Sequence, residues 1–243
     1  MPINRPPNAN LPLSTITGKQ LLSVFAIGGL GLLALFFTSA WLVRTRLFDS
    51  IDSALLDLGF GLLAYGIFAV ASWLVIARRS RVDWAHIGIR HCDPSLFWIG
   101  GFLAFLWIGI SSAIYAAAGI WDIAIAEGGK LIAPFRGDTI ALAGLFLIAG
   151  PVAAFVEEIL FRGIIYGWLR RRLGIAAAAV LSALIFTSVH FYVFVAGFAA
   201  ALEMTVLAVL LALLFEVSRS LWPSILCHAL NNMLLLLVYL YRG

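Results

Sequence analysis

The sequence predicts an all-α fold: a polytopic bundle of about seven membrane-spanning helices, within a range of six to eight, with a cytoplasmic N-terminus. Three observations carry that expectation. Hydrophobic residues make up 63% of the 243 residues and charged residues only 12%, against about 45–50% and about 25% in a soluble domain. Apolar runs recur along the chain, most of them near the ~20 residues needed to cross hydrocarbon. The arginines gather in short clusters, Arg78-Arg79-Ser80-Arg81 and Arg170-Arg171-Arg172, at the ends of such runs.

Residues 1–19, rich in proline and polar side chains, read as a disordered tail. The first span covers 20–43 and ends at Arg44. It exceeds the ~7–15 apolar residues of a signal-peptide core. The second covers 54–77 and ends at the first arginine cluster. A polar linker follows, with Trp84 and Ile87 expected at the membrane interface. The third span covers 96–120, and a mixed-charge loop fills 121–138. The fourth runs from 139 to Arg172, interrupted at Gly150-Pro151 because proline lacks a backbone donor. The fifth, sixth and seventh cover 175–191, 194–216 and 221–241. Residues 1–19, 20–138 and 139–243 thus divide into a tail, an N-terminal set of membrane helices and a C-terminal core.

Basic flanks face the cytoplasm. The clusters after spans two and four lie two crossings apart, so both fall on that side. Seven crossings then leave the C-terminus outside. No basic run is long enough to suggest nucleic-acid binding. Cys92 and Cys227 show no CxxC spacing and are not read as a disulfide.

An ionised side chain at the centre of a spanning helix costs about 2.5–3.5 kcal/mol on insertion scales. Glu157, Glu158 and Arg162 nevertheless lie together in "AFVEEILFRG". Glu158 and Arg162 are four apart and share a helix face. Glu157 is turned about 100° away from Glu158. The spacing offers one carboxylate paired to the arginine and one facing elsewhere. The plainer reading is a structural salt bridge. His190 ends "FTSVH", one turn after Phe186. His228 and Asn232, in "HALNN", are four apart on one face, an imidazole and a carboxamide suited to stabilising an oxyanion or to bonding between helices. At about 1.5 Å per residue, Glu157, His190, His228 and Asn232 fit one slab of the membrane if their helices are neighbours.

In these motifs the chain resembles the CAAX-processing and bacteriocin-processing (CPBP) family, the Abi-type glutamic intramembrane proteases. EExxxR, FxxxH and HxxxN occur in the family's order as Glu157-Glu158…Arg162, Phe186…His190 and His228…Asn232. The resemblance covers about 139–241; residues 1–138 share only general hydropathy. It implies an intramembrane endopeptidase in which Glu157 is the general base on a water, His190 assists it, and His228 with Asn232 forms the oxyanion site. Glu158, Arg162 and Phe186 would support that geometry. It implies no cofactor, a membrane-bound or lipidated peptide as substrate and the lipid bilayer as partner, in a plasma membrane of bacterial or archaeal type. Such a mechanism suits amide hydrolysis, which needs an activated water and a sink for negative charge.

Two alternatives use the same residues. Imidazole and carboxylate are zinc ligands, although HExxH is absent. Intramembrane Glu and His also serve proton-coupled transporters, so a non-catalytic transporter or immunity protein stands as the other class. Glu203, Glu216 and Asp57 lie in or near spans and outside the three motifs.

Overall fold

The computed structural model describes residues 16–45, 52–79, 83–190 and 192–242. Most of the expected tail, residues 1–15, and Ser80 and Arg81 of the first arginine cluster lie outside the described residues. Among the described residues the fold is helical throughout, with no strand. Six helices among the described residues are long and apolar enough to cross a membrane. The chain is a multi-pass integral membrane protein.

The helices are α1 (Gly18–Arg44), α2 (Ser53–Ser72), α3 (Pro94–Ala117), α4 (Trp121–Ile132), α5 (Thr139–Arg170), α6 (Ile175–Val189), α7 (Tyr192–Ala196), α8 (Phe198–Ser218) and α9 (Leu221–Arg242). Helix α2 continues into a π-helical stretch, Trp73–Arg79. The fifth expected span is α6, only 15 residues long. The loop expected over 121–138 instead contains α4, an amphipathic helix that buries Ile125, Gly128, Gly129 and Ile132. Its apolar spacing is helical, but its scattered charges read as a loop.

Three helices begin where an aspartate caps them. Asp52, Asp93 and Asp138 accept backbone N–H bonds from Ala54, Ser95 and Ile140, each at 2.8 Å. Each satisfies donors that no helical carbonyl can reach.

The expected interruption at Gly150-Pro151 is not a break. Ile148–Val152 is a π turn within α5. Pro151 has no N–H to donate, and a wider turn absorbs the missing bond without ending the helix. A second π segment, Ile159–Tyr166, follows the glutamate pair. There Ser182 of α6 donates to the Phe161 carbonyl at 3.1 Å, which ties α6 to the altered turn.

Helix α9 is central and α1 peripheral: 44% of the α9 span window is buried against 11% for α1. α9 packs on α3, α4, α5 and α8, and α8 packs on α6. Close approach on α9 depends on glycine. A Cβ on Gly100 of α3 would run into the Pro223 carbonyl, and one on Gly128 of α4 into the Tyr239 ring. Phe36, Trp98, Phe102 and Ile140 are exposed, as side chains facing lipid should be.

Ile87, expected at the interface, is instead fully buried. The 84–90 segment folds back into the bundle. Gly88 takes φ 102°, and its carbonyl accepts from the Leu221 N–H at 2.8 Å. Ser220 Oγ donates to the Arg90 carbonyl at 2.6 Å, and Arg90 Nε donates to the Arg219 carbonyl. Gly163 leaves room for the Ile87 carbonyl, 2.8 Å from where a Cβ would stand. Ile87 thus plugs the bundle between α5 and the start of α9.

Candidate active site

The motif residues meet. Glu157, Glu158 and Arg162 come from α5, Phe186 and His190 from α6 and its cap, and His228 and Asn232 from α9. Glu157, Glu158, Arg162 and His228 are all buried.

Glu158 is the anchor. Arg162 Nη1 donates to Glu158 Oε1 at 2.7 Å, the i,i+4 pair read from the spacing. His228 Nδ1 lies 2.8 Å from the same oxygen. A carboxylate only accepts, so Nδ1 carries the hydrogen and His228 turns Nε2 away from Glu158. Arg162 Nη2 donates to the Ala208 carbonyl at 3.1 Å, which ties the pair to α8. Two partners and a backbone acceptor make burial of these charges tolerable.

Nε2 of His228 stands 3.7 Å from Glu157 Oε2. His190 approaches the same carboxylate, with Nε2 3.6 Å from Oε1. Its Nδ1 is 2.7 Å from the Phe186 carbonyl. A carbonyl also only accepts, so Nδ1 is again the protonated nitrogen. Both imidazoles therefore present Nε2 to one carboxylate, each at a distance longer than a direct hydrogen bond.

Phe186 sits among these groups. Its ring centroid lies 4.4 Å from that of His190, 5.8 Å from that of His228 and 4.9 Å from that of Phe161. The Arg162 guanidinium stands 4.8 Å over its face, within cation–π range. Asn232 lies at the margin. Its Nδ2 donates to the Ala149 carbonyl at 2.9 Å, beside the π turn of α5. An amide NH₂ has two hydrogens, and that contact uses one.

Sequence reasoning missed Tyr65. Its hydroxyl, from the middle of α2, donates to Glu157 Oε1 at 2.9 Å. A lone tyrosine in a generic apolar span carries no motif, and only the fold brings α2 against α5.

The remaining acidic residues go elsewhere. Glu216 accepts from Tyr166 Oη at 2.6 Å, from Arg170 at 3.2 Å and from Arg219 at 3.0 Å, so it clamps the ends of α5 and α8. Glu203 is half-buried and faces Tyr115 and Tyr239. Asp57 is exposed near the start of α2. Cys92 and Cys227 are both free thiols. Beside the site, an apolar cavity of about 380 Å³ is lined by Ala69, Trp73, Trp84, Phe155, Val156 and Ile159, among others. Val156 and Phe155 directly precede Glu157.

Comparison with known proteins gives one family. Residues 139–234 match the family model described as type II CAAX prenyl endopeptidase, Rce1-like. No curated protein and no solved structure matches. The matched stretch holds every residue of the three motifs and leaves α1 to α4, with Tyr65, outside it. Over residues 139–234, which hold the three motifs, the chain is thus similar to the Rce1-like family of type II CAAX prenyl endopeptidases.

Proposed function

We propose that the protein is an intramembrane endopeptidase of the glutamic type, hydrolysing a peptide bond in a prenylated or otherwise lipidated, membrane-associated substrate. The observation that carries this reading is the convergence of two imidazole Nε2 atoms on the carboxylate of Glu157, at 3.6 and 3.7 Å. Such separations suit a bridging water better than direct bonds. A water held there meets a base, Glu157, and a proton relay, His190.

Attack on a peptide carbonyl builds negative charge on its oxygen. His228 donates to that oxygen from Nε2 once Nε2 carries a proton, and the carboxylates of Glu157 and Glu158 on either side of the ring, shared with Arg162, balance the charge. Asn232 Nδ2 supplies its second hydrogen. These donors are fixed before the reaction by Glu158 and by Ala149, which is the condition for electrostatic catalysis. Arg162 and Phe186 hold the frame. The apolar cavity before Glu157 offers room for a hydrocarbon portion of the substrate. In this reading residues 139–243 form the catalytic unit, residues 20–138 complete its membrane frame, no cofactor is required, and the N-terminus is cytoplasmic.

The test is cleavage, by the protein in liposomes, of a quenched fluorescent farnesylated peptide ending in CaaX. Glu157→Gln lowers the rate by about 10²–10⁴-fold, the range for a general base. Cleavage that persists in the purified, folded variant overturns the mechanism.

A zinc-dependent hydrolase is the second reading, favoured by the same paired Nε2 atoms beside a carboxylate, a known zinc donor set. Against it, no group of three His, Cys, Asp or Glu side chains among the described residues is arranged to hold a metal. Stoichiometric zinc, lost with activity on chelation, would establish it.

A further inference from the structure

The two oxygens of Glu157 are not equivalent. Oε1 accepts the Tyr65 hydroxyl at 2.9 Å and faces His190 Nε2 at 3.6 Å. Oε2 faces His228 Nε2 at 3.7 Å. A glutamate carboxylate turns freely about its last torsion, whose profile is broad and roughly two-fold. Something must fix which oxygen points into the reaction space. Within hydrogen-bond distance, the phenol does so.

Tyr65 is suited to the task. It packs against the main core cluster, beside Phe68. A tyrosine ring has few torsions to freeze, and its hydroxyl sits at the end of a rigid arm. It reaches Glu157 across 92 residues, from α2, which lies outside the matched stretch 139–234. The base is therefore held by a helix from the half of the chain that carries no motif.

We infer that Tyr65 is a positioning residue for the Glu157 base: its hydroxyl pins Oε1 and so fixes the carboxylate plane, with Oε1 turned to the water beside His190 and Oε2 to His228. The inference rests on the glutamic-protease reading above. It differs from plain core packing, which the ring supplies without the hydroxyl.

The experiment compares Tyr65→Phe with the unmodified protein and with Glu157→Gln, in liposomes, on the quenched farnesylated peptide. Tyr65→Phe keeps the ring and removes one donor to a charged acceptor. Its kcat falls about 10- to 100-fold, the equivalent of such a bond. KM stays within about twofold, as expected for an interaction that matters only in the transition state. The unfolding midpoint in detergent falls only modestly, by what one hydrogen bond is worth, and kcat is read at a temperature where the variant is fully folded. A kcat equal to that of the unmodified protein, with Glu157→Gln inactive, overturns the role of Tyr65 and leaves the protease reading standing. A raised KM accompanying the loss, or a kcat that returns to the unmodified value where the variant is fully folded, assigns the effect to packing and overturns it as well. An active Glu157→Gln overturns the protease reading itself.

Discussion

His228 Nδ1 and Glu158 Oε1 lie 2.8 Å apart although 70 residues separate them in sequence. The same oxygen takes Arg162 Nη1 at 2.7 Å. One carboxylate therefore compensates a buried guanidinium and fixes the tautomer of an imidazole. Glu158→Gln removes both. It leaves Arg162 charged and without a counterion, a change that costs about 3–5 kcal/mol. The unfolding midpoint in detergent falls sharply, and activity is lost with it. Glu157→Gln, by contrast, keeps a midpoint near that of the unmodified protein, because Arg162 keeps its partner.

Phe186 is the packing counterpart of that anchor. Its ring touches Arg162, His190 and Phe161. Phe186→Ala opens a cavity worth about 3–5 kcal/mol and frees both imidazoles. Phe186→Leu, which refills most of the volume, recovers most of the stability. Activity recovers less, since the ring face under Arg162 is gone. Thermal unfolding and cleavage rate measured on both variants check this.

Glu216 separates a structural carboxylate from a chemical one. Its donors are Tyr166, Arg170 and Arg219, all at the arginine-rich end of the bundle. Glu216→Gln weakens several charge-assisted bonds at once and lowers the unfolding midpoint. kcat measured at a temperature where the variant is folded stays within about twofold of the unmodified value.

Two glycines in α3 give a paired test of helix packing. Gly100 faces the Pro223 carbonyl without room for a Cβ, while nothing lies within 4 Å of a Cβ on Gly109. Gly100→Leu drives α3 and α9 apart and abolishes stable folding. Gly109→Leu is tolerated. Yield of monodisperse protein from detergent distinguishes the two.

The ends of the chain should lie on opposite membrane faces. Gly18 packs on Trp168, two residues before Arg170, whereas Tyr239 packs on Gly128 of α4. In a Cys92→Ser, Cys227→Ala background, Lys19→Cys is labelled by an impermeant maleimide from the cytoplasmic face. Tyr241→Cys is labelled from the other. Both residues are exposed. Labelling of both from one face would contradict the basic-flank orientation.

Much of this arrangement was legible in the sequence for a physical reason. Hydrocarbon admits few charges, so each one that remains is informative. Glu157, Glu158, Arg162, His190 and His228 stand out against the apolar background, and the i,i+4 pair follows from helical geometry alone. What was hidden lies where background and signal look alike. Tyr65 is one aromatic among many, and its partner is fixed only when α2 meets α5. The plug at Ile87 reads as an interfacial residue because burial by protein and exposure to headgroups select similar side chains. The π turn at Pro151 was legible as a disturbance, but not as one the helix survives. α4 was masked by its own polar face.

A helix of 15 residues is about 22 Å long, short of the ~30 Å hydrocarbon core. α6 is therefore too short to cross that core alone, and the carbonyls of its last turn must be met within the protein or by the site's own water, since each unmet acceptor is costly. One of them, on Phe186, is met by the His190 ring itself. The proposed proton relay is thus also the lid on the end of its own helix. Replacing His190 with a residue that cannot donate should unravel the last turn of α6, and the fraying would reach Phe186 before any substrate arrived.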